Sequence, residues 1–441
     1  MFSERTNWRL AQNRFTQTVE DARVRGVRLL NLTASNPTRV GLEYDSHAIL
    51  GSLGSARALD YDPQAKGLLS AREAVARYYV ERCARGETDV ASNVCAIDPE
   101  KIVLTASTSE GYSYVFRLLC NAGDELLVPK PSYPLFEFLA DLQDVKLVPY
   151  PLIYDHGWQM DFHSMEKTVT PRTRGVVLVH PNNPTGSYVH EGELGALNEF
   201  CRTRGLALVV DEVFLDYEIG SSGAKAQAST GRTDRSAESA AQPKSAVELR
   251  STGQPMAAVP TCAEPAPSFV SNDRVLTFTL SGLSKISALP QMKVAWIVTS
   301  GPPAQVAATM SRLEVIADTY LSMNAPVQWA VPVMLGQRQS IQRQLLERVQ
   351  ENLAELDRQL AEQKACQRLV VEGGWCAVLR VPVTRSDEEL AIQLVREKAV
   401  IVHPGHFYDF ESDGYLVLSL IAQADEFAEG CRRVLEYVAT A

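Results

Sequence analysis

The chain has 441 residues, 45% of them hydrophobic and 22% charged, with a formal net charge of −10. That length exceeds one simple core and sets an expectation of about two or three domains. The composition is that of a soluble globular protein, the acidic balance argues against a general nucleic-acid binder, and no apolar run approaches the ~18 residues that span a membrane.

The N-terminus, Met1-Phe2-Ser3-Glu4-Arg5-Thr6-Asn7-Trp8, lacks the apolar core of a secretion signal. Residues up to about 48 read as an arm, with Leu29-Leu30-Asn31-Leu32 followed by the turn Ser35-Asn36-Pro37-Thr38. Helical periodicity runs over 69–85, with Gly67 ahead of it. Ile102-Val103-Leu104 reads as a strand, then the small residues Ser107-Thr108-Ser109-Glu110-Gly111, then a helix over 112–119. Glu125-Leu126-Leu127-Val128 and Val145-Lys146-Leu147-Val148 are further strands, and the alternation favours a parallel α/β architecture. Residues 219–270 lose all apolar periodicity and are rich in Ala, Ser, Thr, Gly, Pro and Gln; they read as a disordered or weakly ordered surface insertion. A helix-rich stretch over 303–363 suits a helix linking two domains. Leu369-Val370-Val371, Cys376-Ala377-Val378-Leu379 and a strand over 415–420 suggest a small α+β domain. The eight cysteines are scattered, which reads as free thiols in a reducing cytoplasm. His180, His403 and His406 show no metal-ligand pattern.

Three strand ends carry the chemistry. Gly175-Val176-Val177-Leu178-Val179-His180 runs into Pro181-Asn182-Asn183-Pro184-Thr185-Gly186. Leu206-Ala207-Leu208-Val209-Val210 runs into Asp211-Glu212-Val213-Phe214. Val275-Leu276-Thr277-Phe278-Thr279-Leu280 runs into Ser281-Gly282-Leu283-Ser284-Lys285. Uninterrupted apolar strands suit a parallel sheet covered on both faces. Ligands sit at the carboxyl ends of such strands, so an Asn, an Asp and a Lys are expected to converge. A desolvated lysine loses its proton more easily and attacks carbonyls.

In this order, the three motifs resemble the class I/II aminotransferases, pyridoxal-phosphate-dependent enzymes of fold type I, over nearly the whole chain from about Leu30 onward. The resemblance implies a large domain with a mostly parallel, seven-stranded sheet between helices and a small α+β C-terminal domain. Residues 1–48 would form the arm and part of the small domain, 49–300 the large domain, and 301–441 the linking helix and the rest of the small one. It implies pyridoxal 5'-phosphate held by Lys285 as a Schiff base, with Asp211 paired to the pyridine nitrogen and Asn183 bonded to the phenolic oxygen. Tyr133 would stack on the ring. Ser107, Thr108 and Ser109 would form the phosphate turn, with Ser281 and Lys293 adding a hydroxyl and a cation. Tyr61 resembles a tyrosine that reaches the phosphate site of a second subunit, which implies a homodimer. The activity implied is transfer of an amino group from an amino acid to a 2-oxo acid. A lyase, decarboxylase or racemase reaction on the same scaffold is the alternative, and a cofactor-binding regulator is disfavoured because only about 30 residues precede the domain. There are also departures. The family usually has serine where Gly282 stands, arginine at Lys293, and tyrosine at Phe214. Where Val417-Leu418-Ser419 stands it usually reads Arg-Leu-Ser, with the arginine on the substrate carboxylate. Arg5, Arg39 and Arg380 are the expected substitutes for that cation.

Overall fold

The computed structural model describes residues 1–8, 10–84, 96–133, 136–220, 266–321 and 323–440. The first strand, β1 (Leu30–Asn31), belongs to the arm. Eight strands follow: β2 (Ile102–Thr105), β3 (Glu125–Lys130), β4 (Lys146–Tyr154), β5 (Trp158–Met160), β6 (Thr173–Val179), β7 (Ala207–Asp211), β8 (Thr277–Gly282) and β9 (Ala295–Ser300). They form one sheet in the order β2-β9-β8-β7-β6-β3-β4-β5. The run from β8 to β4 is parallel, whereas β9 is antiparallel to both of its neighbours and β5 is antiparallel to β4. The eighth strand beyond the expected seven is β5, the returning arm of a hairpin on the sheet edge.

Alternate residues of β6 and β7 feed two cores, as side chains on successive strand positions must. Val177, Val179 and Val209 pack with Tyr112, Val115 and Phe116 of the helix Thr108–Leu119 and with Leu313 of the helix Pro303–Tyr320. Val176, Leu178, Leu208 and Val210 pack on the other face with Leu197 and Phe200 of the helix Glu191–Arg204. Both faces are dry, which is why the strands carry no polar alternation and why polar groups gather at their ends.

The smaller unit has β10 (Gln367–Arg368), β11 (Cys376–Arg380), β12 (Val400–Ile401), β13 (His403–Pro404) and β14 (Tyr415–Ser419). Its sheet runs β10-β11-β14-β13, and β12 pairs in parallel with β1 of the arm. The helix Ala424–Thr440 buries Phe427, Cys431, Val434, Leu435 and Val438, one apolar stripe at helical spacing, against this unit.

Three features differ from expectation. The stretch over 303–363 is three helices, Pro303–Tyr320, Ala325–Gly336 and Arg338–Ala361, the first ending at Leu321 in the left-handed region (φ 49°). Most of the proposed 219–270 insertion lies outside the described residues, but its edges are ordered. Ile219, Phe269 and Val270 are buried, and Ser268 Oγ and Phe269 N–H both donate to the Glu212 carboxylate. Apolar residues within the polar run hold those edges in place. Finally, Cys120, Cys201, Cys366, Cys376 and Cys431 are free, but Cys83 is disulfide-bonded, against the all-thiol expectation. Among the described residues no helix is long and apolar enough to cross a membrane.

Candidate active site

Lys285 lies in a single helical turn, Leu283–Ile286, at the end of β8. The turn is braced on several sides. The Tyr217 hydroxyl donates to the Lys285 carbonyl at 2.6 Å, Gln342 Nε2 donates to the Ile286 carbonyl at 3.0 Å, and Leu283 N–H donates to Val294 at 3.0 Å. The amine itself is left to the cleft. Nζ sits 5.0 Å from the ring centre of Trp375 and 5.6 Å from that of Phe214, and donates to the Ser35 carbonyl at 3.5 Å. Burial lowers its pKa, against the pull of nearby groups that include the Asp211 carboxylate.

Asp211 ends β7 beside β8 and is buried. Its Oδ1 accepts Val213 N–H at 3.0 Å and its Oδ2 accepts the Tyr112 hydroxyl at 3.1 Å. Burial pushes its carboxyl up to about 6, although both hydrogen bonds and Lys285 favour the ionised form. The site thus holds a desolvated carboxylate with neutral donors and no guanidinium against it among the described residues. A protonated heteroaromatic nitrogen is the partner it lacks.

The turn after β2 is an anion cradle. Ser107 caps the helix Thr108–Leu119, its Oγ accepting Glu110 N–H at 3.1 Å, while Glu110 Oε2 accepts Ala106 N–H at 2.6 Å. The amides of Thr108 and Ser109 donate to nothing among the described residues, and both residues are half-buried. Two open N–H groups at a helix start favour a phosphate.

Asn183 follows β6, and its Oδ1 accepts from Cys376 Sγ at 3.6 Å. Its neighbour Asn182 ties this turn to the Tyr133 loop. Asn182 Nδ2 donates to the Pro131 carbonyl at 3.0 Å, and the Ser132 hydroxyl donates to Asn182 Oδ1 at 3.1 Å. Tyr133 is 40% exposed, enough ring surface for a planar ligand, and it stands edge-on to Phe136.

The Aminotransferase class I and II family model matches residues 48–433. The chain belongs to that family. It is 28% identical over 316 residues to the glutamate-pyruvate aminotransferase AlaA of Escherichia coli (strain K12), covering 72% of this chain and 65% of that protein, so the match spans just under two thirds of the relative's length. The AlaA of Haemophilus influenzae is 23% identical over 94% of this chain and 91% of its own. Among solved structures, an alanine aminotransferase from Pyrococcus furiosus superposes with a TM-score of 0.80 at 17% identity, covering all of both chains. An aminotransferase from Escherichia coli superposes at 0.77 with 22% identity, covering 100% of this chain and 98% of that one.

Members of this aminotransferase family use pyridoxal 5'-phosphate, and the residues present fit it. The buried Asp211 carboxylate, a half-buried amine, an exposed aromatic face and two open amides at a helix start suit its pyridine nitrogen, aldehyde, ring and phosphate. One expected residue takes another place. Ser281 is fully buried inside β8, and its hydroxyl donates to the Glu212 carbonyl at 3.3 Å, so it does not reach the cleft. The expected strand ended at Leu280, but β8 continues to Gly282 and carries Ser281 inward. The half-buried serine beside the lysine is Ser284. A serine at Gly282 is excluded because its Cβ would lie 2.7 Å from the Val294 carbonyl. Lys293 is exposed in the left-handed region (φ 54°) and has no partner among the described residues. Tyr61, 83% exposed, borders a cleft of about 550 Å³ lined also by Arg57, Gln64, Leu321, Asn324 and Trp329.

Three site residues escape the sequence reading. Tyr112 reaches Asp211 from the second turn of its helix. Trp375 packs edge-on against Phe214 at 5.2 Å and Tyr217 at 5.0 Å. Cys376 comes from the small sheet.

Val417 sits in an apolar cluster with Trp158, Leu369, Val378 and Tyr408. Of the three arginines considered in its stead, Arg5 is ion-paired with Asp144 on the surface, and Arg380 lies over the rings of Tyr154 and Tyr415 at 5.7 and 5.9 Å. Arg39 ends the turn Pro37–Arg39, exposed and with no partner among the described residues.

Proposed function

We propose that the protein is a pyridoxal-phosphate-dependent transaminase that passes an amino group from an amino acid to a 2-oxo acid. The observation that carries this reading is the juxtaposition of the desolvated Lys285 amine with the buried Asp211 carboxylate at neighbouring strand ends. When bound, the cofactor supplies the electron sink for a carbanion at the substrate carbon. Lys285 Nζ attaches the cofactor and, once freed, moves a proton to or from that carbon. Asp211 holds the pyridine nitrogen protonated, and Tyr112 and Val213 fix the direction of its carboxylate. Thr108 and Ser109 receive the phosphate, Tyr133 covers the ring, and Lys293 supplies charge nearby. Phe214, edge-on to Trp375, has no hydroxyl to donate.

The names of the relatives make glutamate and pyruvate, and alanine as a second donor, the first compounds to try. The test is to mix the loaded protein with a panel of amino donors and follow loss of its visible band, then its return with each 2-oxo acid. Conversion by at least one pair supports the reading. Loss of CO2, racemised donor or eliminated product without band conversion would instead favour the lyase, decarboxylase or racemase reading.

Arg39 is the cation proposed for the substrate carboxylate. Its turn begins two residues after Ser35, whose carbonyl receives Lys285 Nζ. Arg39→Ala is expected to raise KM for the amino acid roughly 10-fold or more, the loss of a charge-assisted bond, and to leave the matching decarboxylated amine nearly unaffected. Equal effects on acid and amine would count against Arg39.

The protein is proposed to work as a cytoplasmic homodimer. Leu59, at the end of the turn Ala56–Leu59, and Tyr61 just after it are 89% and 83% exposed, an apolar surface that a second copy would cover. Tyr61 would then reach the phosphate site of that copy. Sedimentation at micromolar concentration tests this, and a monomer would refute it.

A further inference from the structure

We infer that Cys376 is a positioning residue, whose thiol fixes the side-chain amide of Asn183 with its nitrogen turned toward the cofactor. The inference rests on the transaminase reading and goes beyond it, because no aspect of that reaction requires a cysteine here.

The oxygen and nitrogen edges of an asparagine amide are alike in shape, so only hydrogen bonding decides which way each faces. Asn183 has one side-chain contact, Oδ1 with Cys376 Sγ at 3.6 Å. Its Nδ2 donates to nothing among the described residues. With Oδ1 facing Sγ the thiol is the donor, and it is one at neutral pH. Burial pushes the Cys376 thiol up to about 12, so it keeps its proton. With Oδ1 engaged, the two N–H bonds of Asn183 are left for an acceptor in the cleft, such as a phenolate oxygen.

The backbone holds this contact rigidly. Gly186, in the same turn as Asn183, accepts at its carbonyl from Glu372 N–H at 3.2 Å and Gly373 N–H at 2.9 Å. Gly374 N–H donates to the Tyr217 carbonyl at 2.8 Å, and the Trp375 carbonyl accepts from Leu420 N–H at 2.7 Å. Gly186 has φ of 70°, and a Cβ there would strike Val371 and the Gly373 carbonyl, so this close approach requires glycine. The segment before Cys376 is thus bonded directly to the Asn183 turn, and the small sheet is joined to the large one at the point where the amide must be oriented. The role matters more in this chain than in one with tyrosine at 214, because Phe214 donates nothing to the same oxygen.

A hydrogen bond to the phenolic oxygen favours its ionised form, so weakening that bond raises the pKa of the lysine-bound chromophore. The experiment is a pH titration of the visible band of the pyridoxal-phosphate-loaded protein, for wild type, Cys376→Ala, Cys376→Ser, Asn183→Ala and the Cys376→Ala/Asn183→Ala double variant, with thermal unfolding recorded for each. Cys376→Ala is expected to raise the midpoint by roughly half a unit to one unit, the size of one neutral hydrogen bond. Cys376→Ser, which keeps an X–H donor, should stay near wild type. In the Asn183→Ala background, removal of the thiol should shift nothing further. An unchanged midpoint in Cys376→Ala, a serine variant that behaves like alanine, or the same shift with Asn183 absent would each overturn the inference. Failure of wild type to form a titrating band at all would overturn the transaminase reading itself.

Discussion

Lys285→Ala is expected to abolish turnover, by at least about 10³-fold, while leaving the fold intact. The side chain does two jobs, attachment of the cofactor and proton transfer, and acid–base catalysis alone typically contributes 10²–10⁴-fold. It makes few structural contacts. The turn is held through the Lys285 and Ile286 carbonyls by Tyr217 and Gln342, and those bonds survive truncation beyond Cβ. Burial disfavours the charged amine, so alanine relieves a desolvation cost and should not lower thermal stability. Turnover within tenfold of wild type, with cofactor bound, would remove Lys285 from the mechanism.

Asp211→Asn is expected to separate function from stability in opposite directions. Asparagine keeps the shape, and its oxygen still accepts from Val213, but the charge that holds the pyridine nitrogen protonated is gone. Loss of one preorganised electrostatic partner in a dry site costs roughly 10²–10³-fold in kcat. The cofactor-free protein should respond the other way. The folded carboxyl is pushed up to about 6 by burial, above the ordinary value of about 3.9. The folded state therefore binds this proton more tightly than the unfolded chain. The native protein loses stability as pH rises between those two values, and the loss persists above the higher one. Asparagine carries no such loss. The cofactor-free variant should be more stable than wild type at pH 8 by about 2–3 kcal/mol, and the two should converge as pH falls toward 4. Denaturant unfolding across that range measures it. A variant less stable than wild type at pH 8 would show that the carboxylate is a structural anchor.

The parts of the site that were legible in the sequence share one physical cause. β6 and β7 are buried on both faces, so their apolar runs are unbroken, and polar groups stand out where they end. Asn183 and Asp211 stand out in this way, Lys285 by the small polar residues ahead of it, and the Ser107 turn by small residues before a helix. The reading failed where position depends on register or on distant chain. Ser281 was placed at the cleft because the strand was ended two residues early, and one step of strand turns a side chain from one face to the other. Tyr112 was read only as the start of a helix, and nothing local marks it, because its ring packs in the sheet core while only its hydroxyl reaches Asp211. Cys376 lies 193 positions from Asn183, and no local pattern reports a contact of that range. The substrate's carboxylate partner was not legible either. Val417 shows only that the usual cation is missing, and three-dimensional placement was needed to set aside Arg5 and Arg380.

The central claim is that Lys285 carries the cofactor, and borohydride reduction of the pyridoxal-phosphate-loaded protein followed by peptide mapping tests it most directly. The account predicts a single phosphopyridoxyl adduct on Lys285, in the peptide that also contains Ser281 and Ser284, with the visible band lost in parallel. An adduct on Lys293 or any other lysine, with Lys285 unmodified, would contradict it.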